Sequence, residues 1–167
     1  MAPISRSRRR LPRGDTAGAG MPAMVVRNLQ RSIPVDCAKL QVFAGRAVAL
    51  VRSSAEKTSS LHELLEIAVL LISDRRMAGL HRRFLALDGP TDVITFQHGE
   101  IFISAETAAE NARRFRVTVR REIELYLVHG LLHLAGYEDK SPGQAAVMRR
   151  KQTLIARQAR GRPAGSG

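Results

Sequence analysis

The sequence predicts a single α+β domain, with α/β-like character, in which a mixed, mostly four-stranded sheet packs against about five helices. Three observations lead there. Short apolar runs alternate with longer amphipathic stretches in the order βα-βα-ββ-αα-α, a sequence of elements that one layered core accommodates. The 167 residues suffice for one domain with a substantial interior. No internal repeat divides the folded part, which is expected over residues 24–160, between a basic disordered arm at 1–23 and a flexible tail at 161–167.

Met24 to Leu29 alternates apolar and polar residues, as a strand with one buried face does. Asp36 is placed to cap a helix running to about Ser53, with Cys37, Leu40, Phe43, Val48 and Val51 as its buried positions. Ser53 to Ser60 is a polar turn, and Leu64 to Ile72 is apolar and β-branched enough for a buried strand. Ser73 or Asp74 then caps a basic helix through Phe84. After the loop at Asp88-Gly89-Pro90, Asp92–Phe96 and Glu100–Ser104 read as a short-armed hairpin turning at His98-Gly99. Ala105–Phe115 and Val119–Ala135 are helices, the second strongly apolar, and a basic helix spans about Gln144–Arg160.

Composition narrows the function classes. Cys37 is the only cysteine, which excludes an internal disulfide and a cysteine-rich zinc site and gives no sign of secretion. No apolar stretch approaches the ~20 residues of a transmembrane helix, so a soluble, cytoplasmic protein with no membrane partner is expected. The formal net charge is +12, from 27 Lys and Arg against 15 Asp and Glu. Residues 1–23 supply +4 of this, so the basic character survives without the arm. Arginine grips phosphate through a bidentate fork, and a chain this basic is drawn to nucleic acid mainly by phosphate contacts.

The most informative segment is His129-Gly-Leu-Leu-His133-Leu-Ala-Gly136-Tyr-Glu-Asp139. Two histidines four apart on a helix share a face, so both imidazoles can reach one ion. Gly136 can end that helix in a left-handed turn and bring Asp139 back toward the same point. Two His and one carboxylate leave a further position open, the pattern of a catalytic zinc site with one ion per chain. The competing reading makes the histidines core residues, Gly136 a plain C-cap and Asp139 a cap before Ser141-Pro142. Gly130 stands where H-E-x-x-H peptidases carry their general base, which disfavours a zinc peptidase. It leaves space either for a bulky substrate above the metal or for close packing. His62, His81 and His98 are expected at the surface or behind the site, with His98 the one possible substitute ligand.

With that motif in place the chain resembles the YbeY family of metal-dependent endoribonucleases of ribosomal RNA maturation. His129, Gly130, Leu132, His133, Leu134, Gly136 and Tyr137 match the family's H-G-x-L-H-L-x-G-Y-D-H pattern. Pro90-Thr91-Asp92-Val93-Ile94-Thr95-Phe96 is similar to its P-T-D-V-L-S-F segment, and Gly99-Glu100-Ile101 to the strand start after it. The segment from Asp74 to His81 is similar to its helix entry, and Val25–Leu29 to its first strand, so the resemblance covers roughly 24–152. The chain departs from the family where Asp139 stands in place of the usual third His, Glu138 in place of the usual Asp and Leu85 in place of an arginine linked to activity, and the loop between Phe96 and Gly99 is shorter than in many relatives.

The resemblance implies a zinc-dependent, single-strand-specific endoribonuclease in the maturation of the small-subunit ribosomal RNA 3′ end. RNA and the ribosomal small subunit would be its partners. His129, His133 and Asp139 would hold the metal, with His129, Arg82 and Arg83 in catalysis, the two arginines standing in for the one absent at Leu85. The alternative is an RNA-binding assembly factor whose metal is structural, with weak or lost catalysis; a zinc peptidase comes third.

Overall fold

The computed structural model describes residues 20–85 and 91–161. Its elements follow the predicted order: β1 (Ala23–Asn28), α1 (Cys37–Ser54), β2 (Glu66–Ile72), α2 (Asp74–Leu85), β3 (Val93–Phe96), β4 (Glu100–Ser104), α3 (Ala105–Phe115), α4 (Val119–Leu134) and α5 (Pro142–Arg160). The strands form one mixed sheet in the order β1-β2-β4-β3, an α+β domain as expected. β1, β2 and β4 run parallel, and β3 closes one edge as the antiparallel arm of the hairpin.

Alternation along the strands sorts side chains between two faces. Ile67, Val69 and Leu71 of β2 and Ile101 and Ile103 of β4 are fully buried beneath α1, α4 and α5. Phe102, Ile94 and Phe96 point the other way and pack with Met77 and Leu80 of α2. The histidine-bearing helix α4 and the arginine-bearing helix α2 therefore lie on opposite faces of the sheet.

Local chemistry sets most boundaries. Asp36 caps α1 by accepting from the Lys39 N–H, as expected. Leu40, Phe43, Val48 and Val51 are buried, but Cys37 in the first turn is only half-buried. Ser73 caps α2 by accepting from the Arg76 N–H. The Asp74 carboxylate accepts from Thr107 Oγ1 (2.7 Å) and from Ser104 Oγ while its own N–H donates to Glu106 (2.9 Å), which ties the starts of α2 and α3 together. β2 starts at Glu66 rather than Leu64, where pairing with Ala23 of β1 begins. Gln41 of α1 bonds the free edge of β1, accepting from Val26 N–H (2.9 Å) and donating to the Met24 carbonyl, which blunts an edge open to further strands.

α5 starts two residues before the expected Gln144. Ser141 and Gln144 form a capping box, and Pro142 fills the first turn, where a missing N–H costs nothing. The expected arm lies outside the described residues up to residue 19, and Ala23 already belongs to β1. The loop at Asp88-Gly89-Pro90 and the tail beyond Gly161 also lie outside them. No helix among the described residues is long and apolar enough to cross a membrane.

Candidate metal centre

α4 ends in a way that builds the site. The Tyr137 N–H donates to the Leu132 carbonyl and the Gly136 N–H to the His133 carbonyl, both at 3.0 Å, while Gly136 takes φ 95°. This pair of bonds around a left-handed residue is a Schellman turn. It reverses the chain within three residues and returns Asp139 to the helix face that carries His129 and His133. Ser59 and Ser60 hydroxyls donate to the Leu134 carbonyl, fixing the same helix end from the segment before β2. Because Ser141 caps α5, Asp139 is not used as its N-cap.

The three side chains converge. His129 Nε2 and His133 Nε2 lie 2.9 Å apart, and Asp139 Oδ2 lies 3.3 Å from the first and 3.7 Å from the second. The far sides of both rings are engaged. His133 Nδ1 donates to the Tyr137 carbonyl (3.0 Å), and His129 Nδ1 donates to Gln152 Oε1 of α5 (2.9 Å). Those acceptors favour the Nδ1–H tautomer on each ring, in which both Nε2 lone pairs face each other and a carboxylate oxygen. Such lone pairs repel unless a cation or proton lies among them, and outward Nδ1–H bonds of this kind orient metal-ligating histidines. Burial, reinforced by the neighbouring His129, holds the His133 imidazole below the ordinary histidine range and favours its neutral, ligating form. These three residues form the group able to hold a metal ion among the described residues.

The group opens into a cleft of about 190 Å³ between α4, α5 and the start of β3, lined by Asp92, Tyr126, His129, Asp139, Arg149 and Gln152 among others. Asp92 accepts from the Val93 N–H at 2.8 Å. The Tyr126 hydroxyl accepts from Asn111 (2.7 Å), and burial raises its pKa above the usual phenol value. Gly130 settles between its two readings in favour of close packing. A Cβ there would stand 2.7 Å from Ile101 Cγ2 and 3.0 Å from Thr95 Oγ1, so the helix touches the sheet and does not open space above the metal.

Arg82 and Arg83 are not brought to the histidines. They lie on exposed turns of α2 against the far face, where Arg83 covers the Phe84 ring at 5.3 Å and Phe84 meets Phe96 edge-on. The arginine in the cleft is Arg149. His98 bonds Glu100 (2.8 Å) and stacks on Phe96, away from the cleft. Sequence reasoning missed Arg149, Gln152 and Tyr126 as lining residues. Tyr126 sits one turn before His129, and Arg149 and Gln152 share a face of α5 with Ala145 and Met148. That spacing was visible, but which helix α5 would face was not.

Comparison with known proteins agrees with this architecture. A family model described as Endoribonuclease YbeY matches residues 26–160. A protein named Endoribonuclease YbeY from Anaeromyxobacter sp. (strain Fw109-5) is 41% identical over 102 residues, which cover 55% of this chain and 53% of that protein. The protein of the same name from Syntrophus aciditrophicus (strain SB) is 29% identical over 145 residues, 78% of this chain and 85% of its own length. The chain spans 53% to 65% of the length of three such relatives, from two Anaeromyxobacter strains and Phocaeicola vulgatus. A solution structure of a Thermotoga maritima protein shares the fold, with a TM-score of 0.54 at 22% identity over 86% of this chain and 99% of that one. With the model match running from β1 to the end of α5, the chain belongs to the YbeY family.

Proposed function

We propose that this chain is a metal-dependent endoribonuclease that hydrolyses phosphodiester bonds in single-stranded ribosomal RNA. The observation that carries the reading is the convergence of two Nε2 lone pairs and one carboxylate oxygen at the mouth of a cleft that also contains an arginine. His129, His133 and Asp139 would hold the ion, and their nitrogen and oxygen donors suit zinc. When bound, such an ion supplies Lewis acidity toward a phosphoryl oxygen and a water that ionises near neutral pH.

The chain's own residues do the rest. Gln152 and the Tyr137 carbonyl hold the two rings in the ligating tautomer. Arg149 stands where a guanidinium can pair with a phosphate and offset the charge that develops on it, so the role expected of Arg82 and Arg83 passes to Arg149. Asp92, a carboxylate of the cleft outside the three-residue group, would be the group to accept a proton from an attacking water. Gly130 packs too tightly for a glutamate, which removes the base a zinc peptidase would need.

The finer assignment, to the 3′ end of small-subunit ribosomal RNA with the ribosomal small subunit as partner, draws on the family resemblance and on the excess of arginine. Leu85, at the position where that resemblance places an arginine, favours the second reading, an RNA-binding assembly factor with a structural metal. One experiment separates them: cleavage of a single-stranded RNA oligomer by metallated protein, with and without chelator, beside His129→Ala and Arg149→Ala. Nuclease activity should vanish with chelator and in His129→Ala and fall steeply in Arg149→Ala. RNA binding without cleavage, together with cooperative unfolding on metal removal, would favour the assembly factor.

A further inference from the structure

The basic residues of α5 do not end at the metal cleft. Arg149, Thr153, Arg157 and Arg160 recur at helical spacing and share one face of that helix. Arg149 lines both the metal cleft and an adjoining shallow groove on the surface of α5 itself, with Arg150, Thr153, Leu154 and Arg157. Arg157 in turn lines a third groove of about 620 Å³, shared with Thr118, Arg120, Arg121, Glu124 and Arg160. The three hollows are thus joined through Arg149 and Arg157 into one path.

The charge along the path is arranged to meet an anion. Glu124 is the carboxylate of the third groove; it is 1% exposed and already held by Arg120 (2.8 Å) and Arg160. Arg121, Arg149 and Arg157 are exposed and carry no ion pair among the described residues. From Arg149 to Arg157 the helix rises about 12 Å, a distance that a few consecutive nucleotides span. Leu154, 45% exposed between the two, offers an apolar surface to a base.

We infer that Arg149, Arg157 and Arg121 form a track for the backbone of single-stranded RNA, leading from the metal centre along α5 to the α4–α5 groove. The inference rests on the proposed nuclease reading, because the track begins where a phosphodiester would be cut. It commits to a single strand because the cleft at its start holds only about 190 Å³, too little to admit a duplex.

The test measures binding of a labelled single-stranded RNA 12-mer to the full chain in chelator, so that no cleavage intervenes, over a salt series. For single strands each lost phosphate contact lowers the slope of log K against log salt by about 0.7, so R121Q/R157Q should lower it by about 1.4 and weaken binding roughly tenfold or more at low salt. Arg157→Lys, which keeps the charge, should retain the slope, and Arg75→Gln on the far face should bind as wild type. Thermal melts of each variant check that the fold is kept.

A wild-type slope in R121Q/R157Q would overturn the track while leaving the nuclease reading intact. Equal affinity for a duplex of the same sequence would overturn the single-strand assignment. Loss of binding in the double variant, with no cleavage by metallated wild type, would support the track and sink the nuclease reading. No salt-dependent RNA binding by wild type would overturn the track, and cleavage by metallated wild type would then decide the nuclease reading on its own.

Discussion

At the scale of single residues, the candidate metal site depends on contacts that would never touch an ion. Gln152 accepts the His129 Nδ1–H at 2.9 Å and decides which nitrogen faces the cleft. Gln152→Ala frees that ring to turn or change tautomer, and metal affinity should fall about 10- to 100-fold, measured by chelator competition. An unchanged affinity would mean the ring is held by packing alone. Gly130 carries the opposite kind of constraint. Alanine usually gains about 1 kcal/mol over glycine inside a helix, but here its methyl would lie 2.7 Å from the fully buried Ile101. Overpacking of this sort costs about 1–3 kcal/mol, so Gly130→Ala should come out less stable in chemical denaturation. A gain would show that Ile101 yields readily enough to admit a methyl group. The convergence of the histidines and Asp139 was legible because the H-x3-H-x2-G-x2-D spacing fixes their geometry within one helix and one turn. Arg149 was not, because it reaches the cleft from another helix.

At the scale of elements, the site is a junction of α4 with α5, and the start of α5 matters as much as its body. The capping box of Ser141 and Gln144 fixes where that helix begins, immediately after Asp139. Ser141→Ala should cost about 1 kcal/mol of stability. It should also loosen metal binding, because it frees the turn that carries the carboxylate. If denaturation shows the stability loss while metal affinity stays at the wild-type value, the turn is held by Gly136 and the Tyr137–Leu132 bond instead. The sequence placed nearly every element within two residues, because caps and periodicity are local signals. It set the start of α5 at Gln144, since the role of Pro142 in a first turn is clear only once Ser141 is seen as the cap.

At the scale of the whole molecule, proton linkage offers a test of how the site is built into the fold. The folded pKa of His133 lies below its ordinary value of 6.5, mainly because of burial. As pH falls through that ordinary value, the unfolded chain takes up a proton that the folded chain refuses. Metal-free protein should therefore lose stability from neutral pH down toward the folded pKa, and the loss should stop below it. Thermal melts in chelator across that range, beside His133→Asn, would show the His133 share of the slope disappearing in the variant. Parallel slopes in the two proteins would place the linkage elsewhere. Metal affinity should weaken in the same direction, because protons and the ion compete for the same Nε2 atoms.

The sequence by itself determined the element order, the α+β class, the ligand spacing and the basic charge, since each depends on neighbours within a few residues or on composition alone. The tertiary structure decided which face each helix took. It set α2 with Arg82 and Arg83 behind the sheet and swung α5 against α4, so that Arg149 and Gln152 joined the histidines. It also gave Gly130 to the sheet and aligned the α5 arginines with Arg121 of α4. Those choices follow from how apolar stripes distant in sequence bury one another. Ile101 and Leu71 against α1 and α4 on one side, and Phe102 against Met77 on the other, divide the helices between the two faces. A one-dimensional pattern shows that each stripe must be covered but not by which partner, and the partner is what places Arg149 in the cleft with His129.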